Sequence, residues 1–392
     1  MNIMLIPRSV RACVVAATVG ALCIATQWNL DDNRRVDLRI YYRAVRSFDG
    51  GHLYDYGTQG TSFLYPPFAA LVLHPMTRFG ETSVSRPWLI AMVACGVTAL
   101  AAGIGLLRGD RRLPRATVPV VAAALLWTAP ALDSFQLGQI NPLIAALICV
   151  DALAITRGSR YGGIGVGLAA ALKVTPLVTI AMLLIAGRRR EAGRALGVFG
   201  LCGTVGLVAL PRDSWRYWTS VVFDATRIGG AENPQKANLH TMAELVTPSA
   251  ALQNALWITA SVALVVVAVR SVLRWRDRDV IDLVIISMGL TYLISPLTWI
   301  HHYWLALVAM IAWVLRARTP PQVAVAALGL VAFIDPLTLG RTSMTRTVMM
   351  VAFCIATVAW LPRPPVSAPS SRPESDASPE SVEPHSPRVR AL

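Results

Sequence analysis

Apolar runs long enough to enter a bilayer recur along this chain, and clusters of arginine interrupt them again and again. That alternation restricts the fold more than any motif does. A helix crossing the hydrocarbon layer needs about 20 apolar residues, fewer where neighbouring protein covers it. Stretches of this kind are read at 9–28, 84–107, 116–132, 140–156, 195–210, 251–270, 280–297, 303–315, 322–339 and 347–361. Of the 392 residues 55% are hydrophobic and 15% charged, and mean hydropathy is +0.53. A soluble domain of that composition would expose far too much apolar surface, so the expectation is an all-α polytopic membrane protein.

Arginine sets the orientation. Arg108 to Arg115, Arg157 and Arg160, Arg188 to Arg194, Arg270 to Arg278, and Arg316 with Arg318 mark short cytoplasmic turns, which places both termini inside the plasma membrane. The net charge of +14 is dispersed over these turns and forms no basic stripe with interleaved aromatics, which argues against a nucleic-acid partner. The cysteines fall inside apolar runs without metal-ligand spacing and read as small buried hydrophobes. Arg8 and Arg11 followed by the run Ala12 to Trp28 read as a retained signal anchor.

The alternation holds only if residues 161–187 enter and leave from the cytoplasmic side, because basic clusters flank both ends of a stretch too short for two spans. This predicts a broken, re-entrant helix pair with its apex at Leu172 to Pro176, where the proline removes a backbone donor. Lys173 at that apex needs an anionic partner, a lipid phosphate or a structural carboxylate such as Asp151. Two longer segments, 29–83 and 211–250, face outside. In the first, Asp37, Ile40, Tyr41, Ala44 and Phe48 recur at helical spacing, as in an amphipathic helix lying in the membrane interface. One transmembrane domain therefore spans 1–361, and the Pro-, Ser- and Glu-rich residues 362–392 read as a disordered cytoplasmic tail.

The outer face gathers polar residues: Asp37, a turn with Gln136, Gln139 and Asn141, a loop with Asp224, Arg227, Gln235 and Lys236, and His301-His302 between Trp299 and Trp304. An acidic base, cationic anchors, amides and aromatic rings at a membrane surface suit a lipid-borne polar substrate, particularly a sugar. Each residue also has a plainer reading. Asp37 would cap its helix, the histidines would be interfacial side chains beside an aromatic belt, Trp215, Tyr217 and Trp218 would anchor the interface, and Asp224 would pair with Arg227 to order a loop.

An ordered set of motifs is more specific. Val36-Asp37-Leu38 with Tyr41 is followed by Leu53-Tyr54-Asp55-Tyr56, Phe63-Leu64-Tyr65-Pro66-Pro67-Phe68 and Gly138-Gln139-Ile140-Asn141-Pro142. Then come Ala171-Leu172-Lys173-Val174-Thr175-Pro176, Asp224-Ala225-Thr226-Arg227-Ile228-Gly229, and Ile294-Ser295-Pro296-Leu297-Thr298-Trp299-Ile300-His301-His302. Over residues 10–361 the chain resembles glycosyltransferase family 87, and within it the actinobacterial polyprenol-phosphate-mannose-dependent α-(1→2)-mannosyltransferases that extend phosphatidylinositol mannosides.

The resemblance implies a GT-C fold, an extracytoplasmic active site, a polyprenyl-phosphate sugar donor and a glycolipid acceptor among membrane lipids. It matches the family's essential acid to Asp37 and its histidine motif to His301-His302, either of which is then the functional one. Lys173, Arg227, His301 and His302 are expected at the donor phosphate, and Tyr41, Tyr65, Gln139, Asn141, Asp224, Gln235 and Trp299 against the substrates. No cofactor or metal is called for, since cationic side chains serve the phosphate. Relatives carry Asn-Gln-Ser where this chain has Asn233-Pro234-Gln235-Lys236, which leaves acceptor and linkage open. Two other readings stand beside mannosyl transfer: a polyprenyl-phosphate-arabinofuranose donor, or a non-enzymatic lipid or sugar translocator, which inverted repeats would mark.

Overall fold

Each of the apolar stretches coincides with a helix or a helix pair in the computed structural model, which describes residues 8–28, 35–47, 51–55, 62–107, 117–224, 227, 236–274, 279–334 and 344–363. Gln235, the arginines 108–115 and residues 364–392 lie outside the described residues. Among the described residues the secondary structure is helical, with two isolated β-bridges.

Among the described residues three helices are long and apolar enough to cross a membrane: α4 (Glu81–Leu107), α10 (Arg189–Ala209) and α13 (Ala250–Arg274). The helices α1 (Arg8–Trp28), α5 (Val118–Ala124) and α7 (Asn141–Thr156) gather around α4, with α7 making the most extensive contact. At the centre, α14 (Val280–Ile294) and α15 (Trp304–Arg316) are buried almost throughout, as expected of helices that are apolar on every side. Toward α14 and α15 pack α16 (Pro320–Phe333) and α17 (Met344–Trp360). On α13, by contrast, only Ala268 and Val272 are buried, so its remaining apolar faces form a surface suited to lipid.

The structure refines two of the stretches. Residues 116–132 do not form one helix: α5 gives way to a 3-10 turn at Leu125–Trp127, Thr128 is extended, and α6 (Ala129–Leu137) restarts with Pro130 in its first turn. α14 stops at Ile294, because Ser295 precedes Pro296 and is pushed out of the helical region.

The broken pair is present as α8 (Ile164–Leu172) and α9 (Leu177–Ile185), parted where Lys173 turns extended. Asp151 of α7 accepts hydrogen bonds from the amides of Gly163 at 2.9 Å and Val166 at 3.3 Å. It therefore serves the start of α8, which has no cap of its own, and is not Lys173's partner. α8 also packs closely on α10: Gly163 has φ +104°, and a Cβ there would come within 2.2 Å of the Glu191 carbonyl oxygen.

Arg316, expected in a solvated turn, instead points inward. Its Nη1 donates to Asp282 Oδ1 at 2.6 Å and to the Pro362 carbonyl at 3.2 Å, and both charged side chains are buried. Removing one partner of such a pair costs roughly 3–5 kcal/mol, so it locks α14, α15 and the end of α17 together.

Gly163→Ala is expected to lower the melting temperature in detergent, reflecting a cost of about 2 kcal/mol or more from left-handed strain plus overlap with α10. Thermal unfolding followed by size-exclusion chromatography measures it.

Candidate active site

The amphipathic segment α2 (Val36–Arg46) buries Leu38, Ile40, Tyr41, Tyr42, Ala44 and Val45 against α3 (Pro67–Leu73) and its neighbours. This seats Asp37, in the first turn of α2, at the wall of a cavity of about 580 Å³. The cap position belongs to Arg35 and makes no side-chain capping bond, so the Asp37 carboxylate is not engaged as an N-cap. Its Oδ2 instead accepts a 2.7 Å hydrogen bond from Gln139 Nε2.

Gln139 reaches Asp37 because the α6–α7 turn runs hard against α2. Gly138 ends α6 at φ +72°, and a Cβ there would stand 2.6 Å from Leu38 Cβ. The Gly138 carbonyl accepts from Trp88 Nε1 at 2.9 Å, which ties the turn to α4.

The Gln139 carbonyl oxygen faces Tyr41 OH at 3.0 Å, Tyr65 OH at 3.2 Å and Asn141 Nδ2 at 3.3 Å. Tyr41 and Tyr65 also meet at 2.7 Å, so one phenol donates to the other and leaves a single phenolic proton for Gln139. Burial raises both phenols, which keeps them protonated. Asn141 Oδ1 in turn accepts from Lys173 Nζ at 2.8 Å, and that ammonium lies 5.7 Å over the Tyr65 ring. The helix break thus delivers a cation to the same cavity as Asp37.

The opposite wall is the turn between α14 and α15. His301 Nδ1 lies 3.0 Å from Asp133 Oδ2 of α6, and the His301 carbonyl accepts from Asn141 Nδ2 and Ser134 Oγ, both at 3.0 Å. His302 Nδ1 accepts the Trp299 amide at 3.2 Å. The residues leading into α12 dock on this turn: Ala237 N donates to Thr298 O at 2.9 Å, and Tyr303 OH donates to the Ala237 carbonyl. Asn238 caps α12 (Leu239–Val246) through Thr241 N at 2.9 Å and holds the Pro296 carbonyl at 3.1 Å. Arg227 donates to the Tyr54 carbonyl, while its Nε is buried without a hydrogen-bond partner among the described residues.

Asp37, Tyr41, Tyr65, Gln139, Asn141, Lys173, Asp224, Arg227, Trp299, His301 and His302 therefore line one cavity. Gln136 is not among the residues lining it. Tyr217, expected in an interfacial stripe, is buried in α11 (Pro211–Thr219), stacks on Tyr54 at 5.5 Å and lines the cavity too. Trp215 and Trp218 of that stripe are exposed. Asp133 is not among the residues that the sequence singles out, because the apolar run ends at 132. An acidic residue directly after that run was the available signal.

Burial pushes the Asp37 carboxyl above the usual aspartate range, opposed by the nearby His301, the Gln139 hydrogen bond and Lys173. A carboxylate held this way is a stronger proton acceptor than one in water, which suits a general base.

The sequence profile of glycosyltransferase family 87 matches residues 63–296. The chain belongs to glycosyltransferase family 87. It is 30% identical over 320 residues, 76% of this chain and 74% of the relative, to the polyprenol-phosphate-mannose-dependent alpha-(1-2)-phosphatidylinositol mannoside mannosyltransferase of Mycobacterium tuberculosis. It is 32% identical over 300 residues, 72% of this chain and 69% of the relative, to the polyprenol-phosphate-mannose-dependent alpha-(1-2)-phosphatidylinositol pentamannoside mannosyltransferase of Mycolicibacterium smegmatis. No solved structure matches the chain. The family makes it a glycosyltransferase, and the matched stretch includes Tyr65, Gln139, Asn141, Lys173, Asp224 and Arg227, with Asp37 and the histidines on either side.

Because the ionised form of Asp37 is the one that accepts a proton, glycosyl transfer should fall as pH drops through the raised Asp37 pKa, above the ordinary aspartate range. Gln139→Leu removes a bond that favours the ionised form, so the acid limb of the pH–rate profile should move to higher pH. Initial rates across pH 4–8 test this; an unmoved limb would mean that another group titrates.

Proposed function

We propose that this chain transfers mannose from a polyprenyl-phosphate donor to a lipid-linked glycan acceptor of phosphatidylinositol-mannoside type. The observation that carries the proposal is the shared cavity, which sets the half-buried carboxylate of Asp37 against a group of cationic and hydrogen-bonding side chains, Lys173, Arg227 and the histidines. An apolar part of the same lining, including Ile144, Ala145, Met288 and Leu297, suits an isoprenoid chain. The names of the mycobacterial relatives support mannose, the polyprenyl carrier and an α-(1→2) product.

The reaction is a single inverting displacement. The acceptor hydroxyl attacks the anomeric carbon, Asp37 takes its proton, and the lipid phosphate leaves from the other face, so that a β-linked donor yields an α product. The departing phosphate gains charge in a partly dehydrated cavity, where fixed cations stabilise it more than water would. Lys173 and Arg227 supply that charge, while Tyr41, Tyr65, Gln139, Asn141, Asp224 and Trp299 orient the sugars.

In this reading residues 1–361 form a GT-C transmembrane domain, α2 lies in the outer interface, and α8 and α9 form a re-entrant pair whose break brings Lys173 to the donor phosphate. The cavity opens outside the plasma membrane, as the arginine-rich turns imply, and residues 362–392 are a cytoplasmic tail.

Asp37→Asn should lower kcat by about 10²- to 10⁴-fold, the usual range for general-base help, with little change in melting temperature. Lys173→Met should chiefly weaken the donor, raising its KM about tenfold through loss of one charge-assisted contact. Purified protein assayed with polyprenyl-phosphate mannose and with polyprenyl-phosphate arabinofuranose, in buffer with and without chelator, and with product linkage determined, tests the assignment. Transfer from the arabinosyl donor alone, or none from either, would overturn it.

A further inference from the structure

The adjacent histidines have different partners on their inner nitrogens. A carboxylate can only accept a hydrogen bond, so Asp133 Oδ2 at 3.0 Å requires the proton on His301 Nδ1, and His301 Nε2 is the atom left for the cavity. A backbone amide can only donate, so the Trp299 N–H at 3.2 Å requires a lone pair on His302 Nδ1, and the His302 proton sits on Nε2. The rings are 4.6 Å apart and nearly perpendicular at 88°, so they present different edges. We propose that His301 and His302 are held in opposite tautomers and divide the work at the departing phosphate, with Asp133 as the positioning residue that fixes His301.

The mounting of His301 is rigid. Its side chain and that of Asp133 are 5% and 9% exposed, Trp299 lies over its ring at 6.1 Å and 14°, and its carbonyl is gripped by Ser134, which Trp304 Nε1 in turn bonds at 2.7 Å. Asp133 and Ser134, neighbours on α6, thus hold the ring and the backbone of one residue. Among the described residues His302 has no acidic partner of this kind. Burial, with Lys173 and His301 close by, holds its imidazole well below the usual histidine range, so it stays neutral and donates from Nε2.

This division rests on the polyprenyl-phosphate reading and completes its proton balance. As the acceptor oxygen bonds to the anomeric carbon, the carbon–phosphate oxygen bond breaks and its electron pair leaves with the phosphate. A diester with one negative charge becomes a monoester with two, and the acceptor proton is on Asp37. His302 Nε2–H hydrogen-bonds the phosphate before and after. His301 starts with Nε2 unprotonated, takes the acceptor's proton there from Asp37 and passes it to the phosphate, so that the proton ends on the leaving group and both residues are reset. The charged and titratable groups facing His301 are Asp133 from α6, Asp37 from α2, Lys173 from the α8–α9 break and His302 beside it.

Nitrogen-15 solid-state NMR on histidine-labelled full-length protein in lipid, assigned with His301→Gln and His302→Gln, tests the tautomers without any substrate. A protonated Nδ1 at His301 and a protonated Nε2 at His302 are expected, and the same tautomer at both overturns the proposal. In kinetics, Asp133→Asn offers an amide donor to Nδ1 and should flip the ring's tautomer, lowering kcat about 10²-fold and displacing the pH profile while donor KM stays within about threefold. Asp133→Glu should recover part of that loss. If Asp133→Asn lowers only yield and melting temperature, with kcat and pH profile of the folded fraction unchanged, Asp133 is merely structural and the proposal fails. A failed donor assay with intact opposite tautomers would instead count against the mannosyl reading alone.

Discussion

The side-chain amide of Gln139 is the interaction on which the site depends. Its nitrogen holds Asp37, and its oxygen takes up Asn141 together with the single proton left by the Tyr41–Tyr65 pair. One amide therefore fixes the Asp37 carboxylate, two phenol rings and, through Asn141, the amine of Lys173. The geometry follows from backbone as much as from side chains, since only a residue without Cβ allows the α6–α7 turn to approach Leu38 so closely. A buried polar network of this kind is stable only when each member is satisfied, and here the groups close on one another.

The scaffold serves that network by bringing together helix ends. α2 contributes its first turn, α6 and α7 their junction, α8 and α9 their break, and α14 and α15 the turn between them. At the far end of α15 the buried Arg316–Asp282 pair fixes the same central helices, so the histidine turn is anchored from both sides of the core.

Much of this was legible in the sequence. Hydropathy gave the helices, because burial and lipid both select apolar residues over the same lengths, and Pro176 beside a lone lysine marked the break. The ordered motifs led to the family. What the sequence could not show were pairings set by tertiary contact: Asp133 beyond its misread helix end, Asp151 serving an amide terminus, Arg316 turned inward, and Tyr217 buried where its tryptophan neighbours are exposed. Each of these is a charged or amphipathic residue whose partner lies many positions away, and periodicity carries no information about such partners.

The pairing of Ala237 with Thr298, reinforced by Asn238 and Tyr303, splices the chain ahead of α12 to the histidine turn. The two stretches, some sixty positions apart, behave as one mechanical part. Exchanging the 211–250 region between family members to redirect substrate choice would tug on the imidazoles as well. Chimeras that transplant it together with 295–303 should keep their turnover better than those that graft it alone.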